Sequence, residues 1–498
     1  MGQASPSVWP GLNKLWKSID ARNPASQDLI ASLAKFTRNL VAAVPDNQTK
    51  AFENEPLIRD ILFAYTSYYT SQDESNYRAT ILLIQSISNT VTGNEALLTR
   101  FWDTWMKVPE NLSIILRLLG SPDTRTILSA LVLILNCVHG SVERSALFST
   151  TRLGLRIIIT ILDRMVSLHD VEELSDGGQA FEIGYSIFSR LIDFGLLPDL
   201  YTQISVENEI ITPHQTVLLK LLDSHLQTAR LTVDMCQQLC PMIASTFFDL
   251  GEYSISAIDK AIPNVSSPAS APPSLTSSSA PTPTPEVQPT NGELDMLLPS
   301  VCEALVLMTQ CLVTFALTSE DEELDFPIGD NPKDFLNAAT VEEGVGMAEI
   351  VINVDYSSQG LLQRFERLLP RVMYGRPVDL STLPLSPGVG HQTHPASAST
   401  APPKVSSTDN EGSVKAGFGY VKRDLVRLLG VLCAGEKVVQ DRVRVCGGIP
   451  VVMNLCVVDE RNPYLREHAI FTLHNLLEGN AENQNLMDQI RPLPRSPS

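Results

Sequence analysis

Residues 474–484 read HNLLEGNAENQ, and residues 38–48 read RNLVAAVPDNQ. Asn475 and Asn39 are each followed by Leu, and each stands eight residues before an Asn-Gln pair, Asn483-Gln484 and Asn47-Gln48. The same wording 436 positions apart argues for a recurring structural unit. Partial copies lie between: Asn89 precedes Gly93 and Asn136 precedes Gly140, each by four residues, and the steps from Asn39 to Asn89 and on to Asn136 are 50 and 47 residues.

Outward from the second copy, FGYVKRDLVRLLGVLCAGEKVVQ (418–440) puts Leu425, Leu428, Leu429 and Leu432 on one helical stripe. Gly447 and Gly448 break the chain, and Pro450 sits where a helix begins without losing a useful hydrogen bond. Ile449, Val452, Met453 and Cys456 then fall at i, i+3, i+4 and i+7. Asn462 is expected to cap a further helix starting at Pro463, with Ala469, Leu473, Leu476 and Leu477 on its apolar side. A shift of 44 residues superposes Leu429 on Leu473, Leu432 on Leu476, Gly435 on Gly479 and Gln440 on Gln484. Periods of ~40 to 47 residues belong to the armadillo and HEAT classes. Each copy of the phrase is therefore predicted to end the third helix of one repeat and open the next. FEIGYSIFSRLIDFGLL (181–197), TVLLKLLDSHL (216–226) and LTVDMCQQLCPMIASTFFDL (231–250) extend the helical pattern, whereas MAEIVINVDY (347–356) alternates with a period nearer two.

The predicted fold is all-α, an armadillo-like helical-repeat solenoid with Pro/Ser-rich disordered insertions. Those insertions are residues 263–292 and 377–415, whose Pro, Ser, Thr and Ala content cannot build a packed core. They separate N-terminal repeats (1–262), a helical segment (293–376) and a C-terminal repeat domain (416–490), followed by a disordered tail (491–498). Aromatic residues make up only 6% of the chain, which suits Leu-rich packed helices.

The net charge of −19 gives no long-range attraction to nucleic acid or anionic lipid. Nucleic-acid binding and membrane insertion are therefore not expected. The eight cysteines follow no disulfide or metal-ligand spacing and read as reduced core thiols of a cytosolic or nuclear protein. The first sixteen residues carry no long apolar run, so no secretory signal is expected, and Pro6 replaces the hydroxyl that a myristoylation signal would place there. The most apolar stretch, Val301–Leu317, contains Glu303, Gln310 and two threonines, and is predicted to be a buried core helix.

The segments KRDLVRLLG (422–430), QDRV (440–443), GGIP (447–450) and NPYLREHAIFTLHNLLEGNAENQ (462–484) resemble the C-terminal domain of the ataxin-10 family. The Pro/Ser-rich insertions resemble fungal-type members, some of which carry a copper-transport name. The resemblance implies a cytoplasmic, armadillo-like, non-enzymatic protein that acts in cell division and signalling through protein partners.

No catalytic site, cofactor or metal is predicted. GGIP lacks the Lys-Ser or Lys-Thr of a phosphate loop, and GFGYVKRD (417–424) has no preceding strand and reads as a helix entry. Copper prefers thiolates, thioethers or clustered imidazoles. Cys236 and Cys240 share a helix face and read as core residues, while His391 and His394 have no further ligand beside them. The scaffold is expected to bind proteins, division or signalling factors among them, with self-association as a further possibility. In a stack of three-helix repeats the third helices line a groove. Asn39, Asn89, Asn136 and Asn475 are the candidate groove residues: each amide either holds a peptide backbone or bonds a neighbouring backbone group of its own fold. The alternative function is a cargo carrier or import adaptor, but Lys35, Gln85, Val132 and Phe471 stand one turn before those asparagines, where import adaptors place Trp. Ser267, Thr282, Thr284, Ser386 and Ser496, each followed by Pro, are candidate proline-directed phosphorylation sites.

Overall fold

The computed structural model describes residues 7–261, 295–318, 412–458, 462 and 464–490. Among them the regular structure is helical throughout, with twenty α-helices and no strand. The 263–292 insertion, MAEIVINVDY, residues 377–411 and the last eight residues lie outside the described residues. The chain divides into one unit of residues 1–243 and 318–332 and another of residues 244–317 and 333–498.

The first unit opens with α1 (Trp9–Lys17) and α2 (Gln27–Val41). Three-helix periods follow: α3 (Pro45–Phe52), α4 (Glu55–Tyr65) and α5 (Tyr77–Val91), then α6 (Glu95–Met106), α7 (Ile114–Leu119) and α8 (Thr124–Val138), then α9 (Val142–Thr150), α10 (Arg152–Leu168) and α11 (Asp176–Asp193). Next come α12 (Leu197–Gln203), α13 (Pro213–Thr228) and α14 (Val233–Ala261), the last of which contains the division between the units. The third helices α2, α5, α8 and α11 pack side by side in chain order.

Local sequence explains the ends. Asn94, Ser113, Asp123, Ser141, Thr151 and Ser175 cap α6 to α11, each side chain accepting from the backbone N–H three residues further on. Such a cap is worth about 1 kcal/mol. Between α5 and α11, α8 has neighbours on both flanks, so it buries Ile127, Leu131, Ile134 and Val138 on one side and Ala130, Leu133 and Cys137 on another.

The turn after each third helix requires a left-handed residue. Gly93, Gly140, Gly435 and Gly479 supply it at φ between 63° and 74°, and Ala43 adopts φ 54° at the same place in the first copy of the phrase. A Cβ in that region costs about 1–2 kcal/mol, which glycine avoids.

The second unit contains α15 (Leu298–Thr318), α16 (Gly412–Cys433), α17 (Lys437–Val445), α18 (Gly448–Leu455), α19 (Leu465–Leu477) and α20 (Ala481–Gln489). By length and composition α15 could cross a membrane, but 67% of its apolar window is buried inside the protein, as in a core helix. The two third helices, α16 and α19, pack together closely: a Cβ on Gly430 would lie 2.5 Å from Thr472 Oγ1. The start of α19 departs from the expected one. Tyr464 takes φ 68°, so the helix begins at Leu465, and Asn462, which is buried, lends its backbone carbonyl to Leu465 N instead of a side-chain cap.

Candidate functional site

The recurring phrase is a hydrogen-bonded junction between repeats. In the first unit Gln48 Nε2 donates to the carbonyls of Asn89 (3.0 Å) and Thr92 (2.8 Å) at the end of the next third helix, and its Oε1 accepts from Asn94 Nδ2. In the second unit Gln440 Nε2 donates to the carbonyls of Asn475 (2.8 Å) and Glu478 (3.4 Å), and its Oε1 accepts from Asn480 Nδ2 (3.1 Å). Asn47 Nδ2 and Asn483 Nδ2 each bond the carbonyl seven residues back, Leu40 at 2.9 Å and Leu476 at 2.6 Å. At the equivalent place in the third copy Arg144 Nε makes that bond to the Cys137 carbonyl and also pairs with Glu95. These buried amides satisfy helix-end carbonyls that would otherwise be orphaned.

The asparagines of the third helices form a ladder on the same scaffold. Asn89 Nδ2 donates to the Arg38 carbonyl (3.1 Å), Asn475 Nδ2 to the Gly430 carbonyl (2.9 Å) and Asn136 Nδ2 to Ser88 Oγ (2.9 Å). Each thus reaches the residue five before the left-handed turn of the preceding repeat. Asn475 is buried, Asn89 and Asn136 are half-buried, and Asn39, at the start of the series, is exposed and accepts from Arg38 Nε at 3.3 Å.

Above the ladder, α2, α5, α8 and α11 enclose a groove of about 650 Å³. Asn89 and Asn136 line it; Asn39 is not among its lining residues, and Asn475 belongs to the second unit. The remaining walls come from residues that the sequence reading did not select: Arg38, Gln85, Ser88, Leu128, Ser129, Val132, Gln179, Glu182 and Ile183. Arg38 Nη1 donates to Gln85 Oε1 at 2.5 Å, which holds the guanidinium over the groove. Gln85 and Val132, noted only for not being Trp, could have been found from the phrase register, since each lies one turn before a ladder asparagine.

Burial pushes the Cys236 thiol up to about 11 and the Cys240 thiol up to about 12, with Cys236 beside it adding to the rise at Cys240. Among the described residues no group of three or more His, Cys, Asp or Glu is placed to hold a metal ion. His391, His394 and the five candidate phosphorylation sites, Ser267, Thr282, Thr284, Ser386 and Ser496, lie outside the described residues.

Residues 421–494 match the family model described as the spinocerebellar ataxia type 10 protein domain. Ataxin-10 of Bos taurus is 32% identical over 184 residues, which cover 37% of this chain and 34% of that protein. The ataxin-10 homolog of Dictyostelium discoideum is 41% identical over 70 residues (14% of this chain, 12% of that one), and the ataxin-10 homolog of Saccharomyces cerevisiae is 30% identical over 82 residues (16% and 15%). The match spans about a third of the Bos taurus protein and less of the other two. The matched residues 421–494 hold the Gln440, Asn475 and Asn480 junction of the second unit, and it is through this domain that the chain is similar to the ataxin-10 proteins.

Proposed function

We propose that the chain is a non-catalytic, cytoplasmic protein-interaction scaffold that acts in cytokinesis or cell-division signalling and holds an extended segment of a partner in the groove of its first unit. The observation that carries this reading is the groove itself: four parallel third helices present amides, hydroxyls and a few aliphatic side chains to one cavity. Amides that can both donate and accept match the needs of an extended backbone, while the apolar floor takes side chains. The family resemblance supports the non-enzymatic role and the link to division. A carrier of basic cargo would suit the net charge of −19, but Gln85 and Val132 stand where stacking shelves for cationic side chains would be needed.

The test compares proteins co-purifying from dividing cells with the wild-type chain and with a Leu128→Glu, Val132→Glu variant whose helical circular dichroism is intact. A differently tagged second copy in the same cells reads self-association. Loss of a defined set of division or signalling proteins is the expected result. An unchanged set would remove the groove from the reading.

A further inference from the structure

The groove is electrically polarised. At its α2 end Arg38 is half-buried, and the partners of its guanidinium are the amide oxygens of Gln85 and Asn39, not a carboxylate. At its α11 end Glu182 is exposed, and among the described residues neither its carboxylate nor the Arg38 guanidinium forms an ion pair. Between them lie the aliphatic side chains of Leu128, Val132 and Ile183. A half-buried cation without a counter-ion has lost solvation that no fixed charge of the fold returns, so an incoming carboxylate gains more there than at an open surface.

We propose that this groove selects a linear peptide carrying an acidic residue for Arg38 and a basic residue for Glu182, with an aliphatic side chain between them. The proposal rests on the groove reading given above and adds the chemistry and the polarity of the occupant. Three interhelical steps of ~8–10 Å separate α2 from α11. An extended chain advances ~3.3 Å per residue, so the two charges stand about five to eight residues apart once the long side chains have taken up part of the span. A peptide bound in the reverse direction would set like charges together at both ends, which gives the groove a direction as well as a composition.

A random dodecapeptide phage library panned on the full chain tests this, followed by fluorescence anisotropy of the enriched peptides. The expected result is enrichment of peptides that carry an acidic and a basic residue on either side of an aliphatic one. Arg38→Glu then weakens an enriched peptide by about tenfold or more, and exchanging the peptide's acidic residue for lysine restores binding to that variant. Glu182→Arg behaves in the same way towards the basic residue. Peptides that bind equally to wild type and to both charge-reversed variants, yet lose affinity for Leu128→Glu, would overturn the polarity while leaving the groove as the binding site. Peptides indifferent to Leu128→Glu as well, or no enrichment at all, would overturn both readings.

Discussion

The junction around Gln48 in the first unit and the junction around Gln440 in the second make the same hydrogen bonds with almost the same residues, 392 positions apart in the chain. Their outward faces differ. Five residues before the left-handed turn stands Arg38 in one and Gly430 in the other; both offer a backbone carbonyl to the next repeat's asparagine. In the first unit the side chain at that place reaches into a groove, whereas in the second its absence lets α16 approach Thr472 of α19. Most of the contacts that recur are accepted by backbone carbonyls, an acceptor that survives substitution of the residue carrying it. The side chain beyond them is free to diverge, and divergence there turns one repeat into a binding face and another into a tightly packed pair.

The comparison can be broken hardest at the leucine three residues before the turn. Leu476 is fully buried, and Leu476→Ala is expected to cost about 2–5 kcal/mol. Leu40, its counterpart, is half-buried, so Leu40→Ala should cost less; chemical denaturation of the two variants gives the ranking, and equal losses would mean the junctions are not equivalent. Next comes the clamp. Gln440→Leu leaves the Cys433, Asn475 and Glu478 carbonyls and the Asn480 amide short of a partner, a loss of roughly 2–4 kcal/mol, and Gln48→Leu follows with fewer bonds broken. Amide exchange at the ends of α19 and α5 should accelerate in the respective variants; protection left intact would show the bonds to be dispensable.

Gly430→Ala sharpens the contrast at the diverged position. A Cβ at 2.5 Å from the hydrogen-bonded hydroxyl of Thr472 is expected to destabilise by about 1–3 kcal/mol, while Arg38→Ala should lie within about 0.5 kcal/mol of wild type. A melting shift of the same size in both would contradict the close approach of α16 and α19. In the opposite direction, Ala43→Gly relieves the left-handed backbone of the first turn and should raise stability by about 1 kcal/mol or less, with a lowered melting temperature as the contrary result.

The smallest effect is one of pH. Burial, with Arg427 and Arg423 adding to it, lowers His468 below the ordinary imidazole value of about 6.5, whereas Asp424 and Glu467 act the other way. The unfolded chain therefore binds the proton more readily, so the stability contributed by the neutral imidazole is complete above about pH 6.5 and is lost as pH falls towards the depressed folded value. His468→Gln should flatten the acid limb of the second unit's melting profile. Ser32, Leu82 and Ser129 occupy the corresponding places in the first unit, which should show no such limb from this position. An acid limb that persists in the variant would assign the titration elsewhere.

Much of this was legible in the sequence. The helical class, the placement of the left-handed turns and the repeated Asn and Gln came from apolar spacing and one recurring phrase, and Leu425, Leu428, Leu429 and Leu432 are all buried as their spacing predicts. Other features were hidden because unlike residues do the same work. Arg144 replaces the asparagine at the turn, Ala43 replaces glycine, and the left-handed Tyr464 moves the start of α19 away from Asn462. For the site, the phrase register pointed to Asn89 and Asn136, but while they line the groove the Asn89 amide donates to the Arg38 carbonyl and the Asn136 amide to the Ser88 hydroxyl.

By itself the sequence determined that the chain is a stack of helices and where each repeat turns, because helix periodicity and positive φ are local demands written in neighbouring residues. Only the tertiary structure decided which carbonyl each Gln and Asn meets, and that Arg38 and Glu182, 144 residues apart, face one cavity. Solvent-facing positions of a helix carry no apolar period to mark them, and their meeting depends on how the third helices of successive repeats stack.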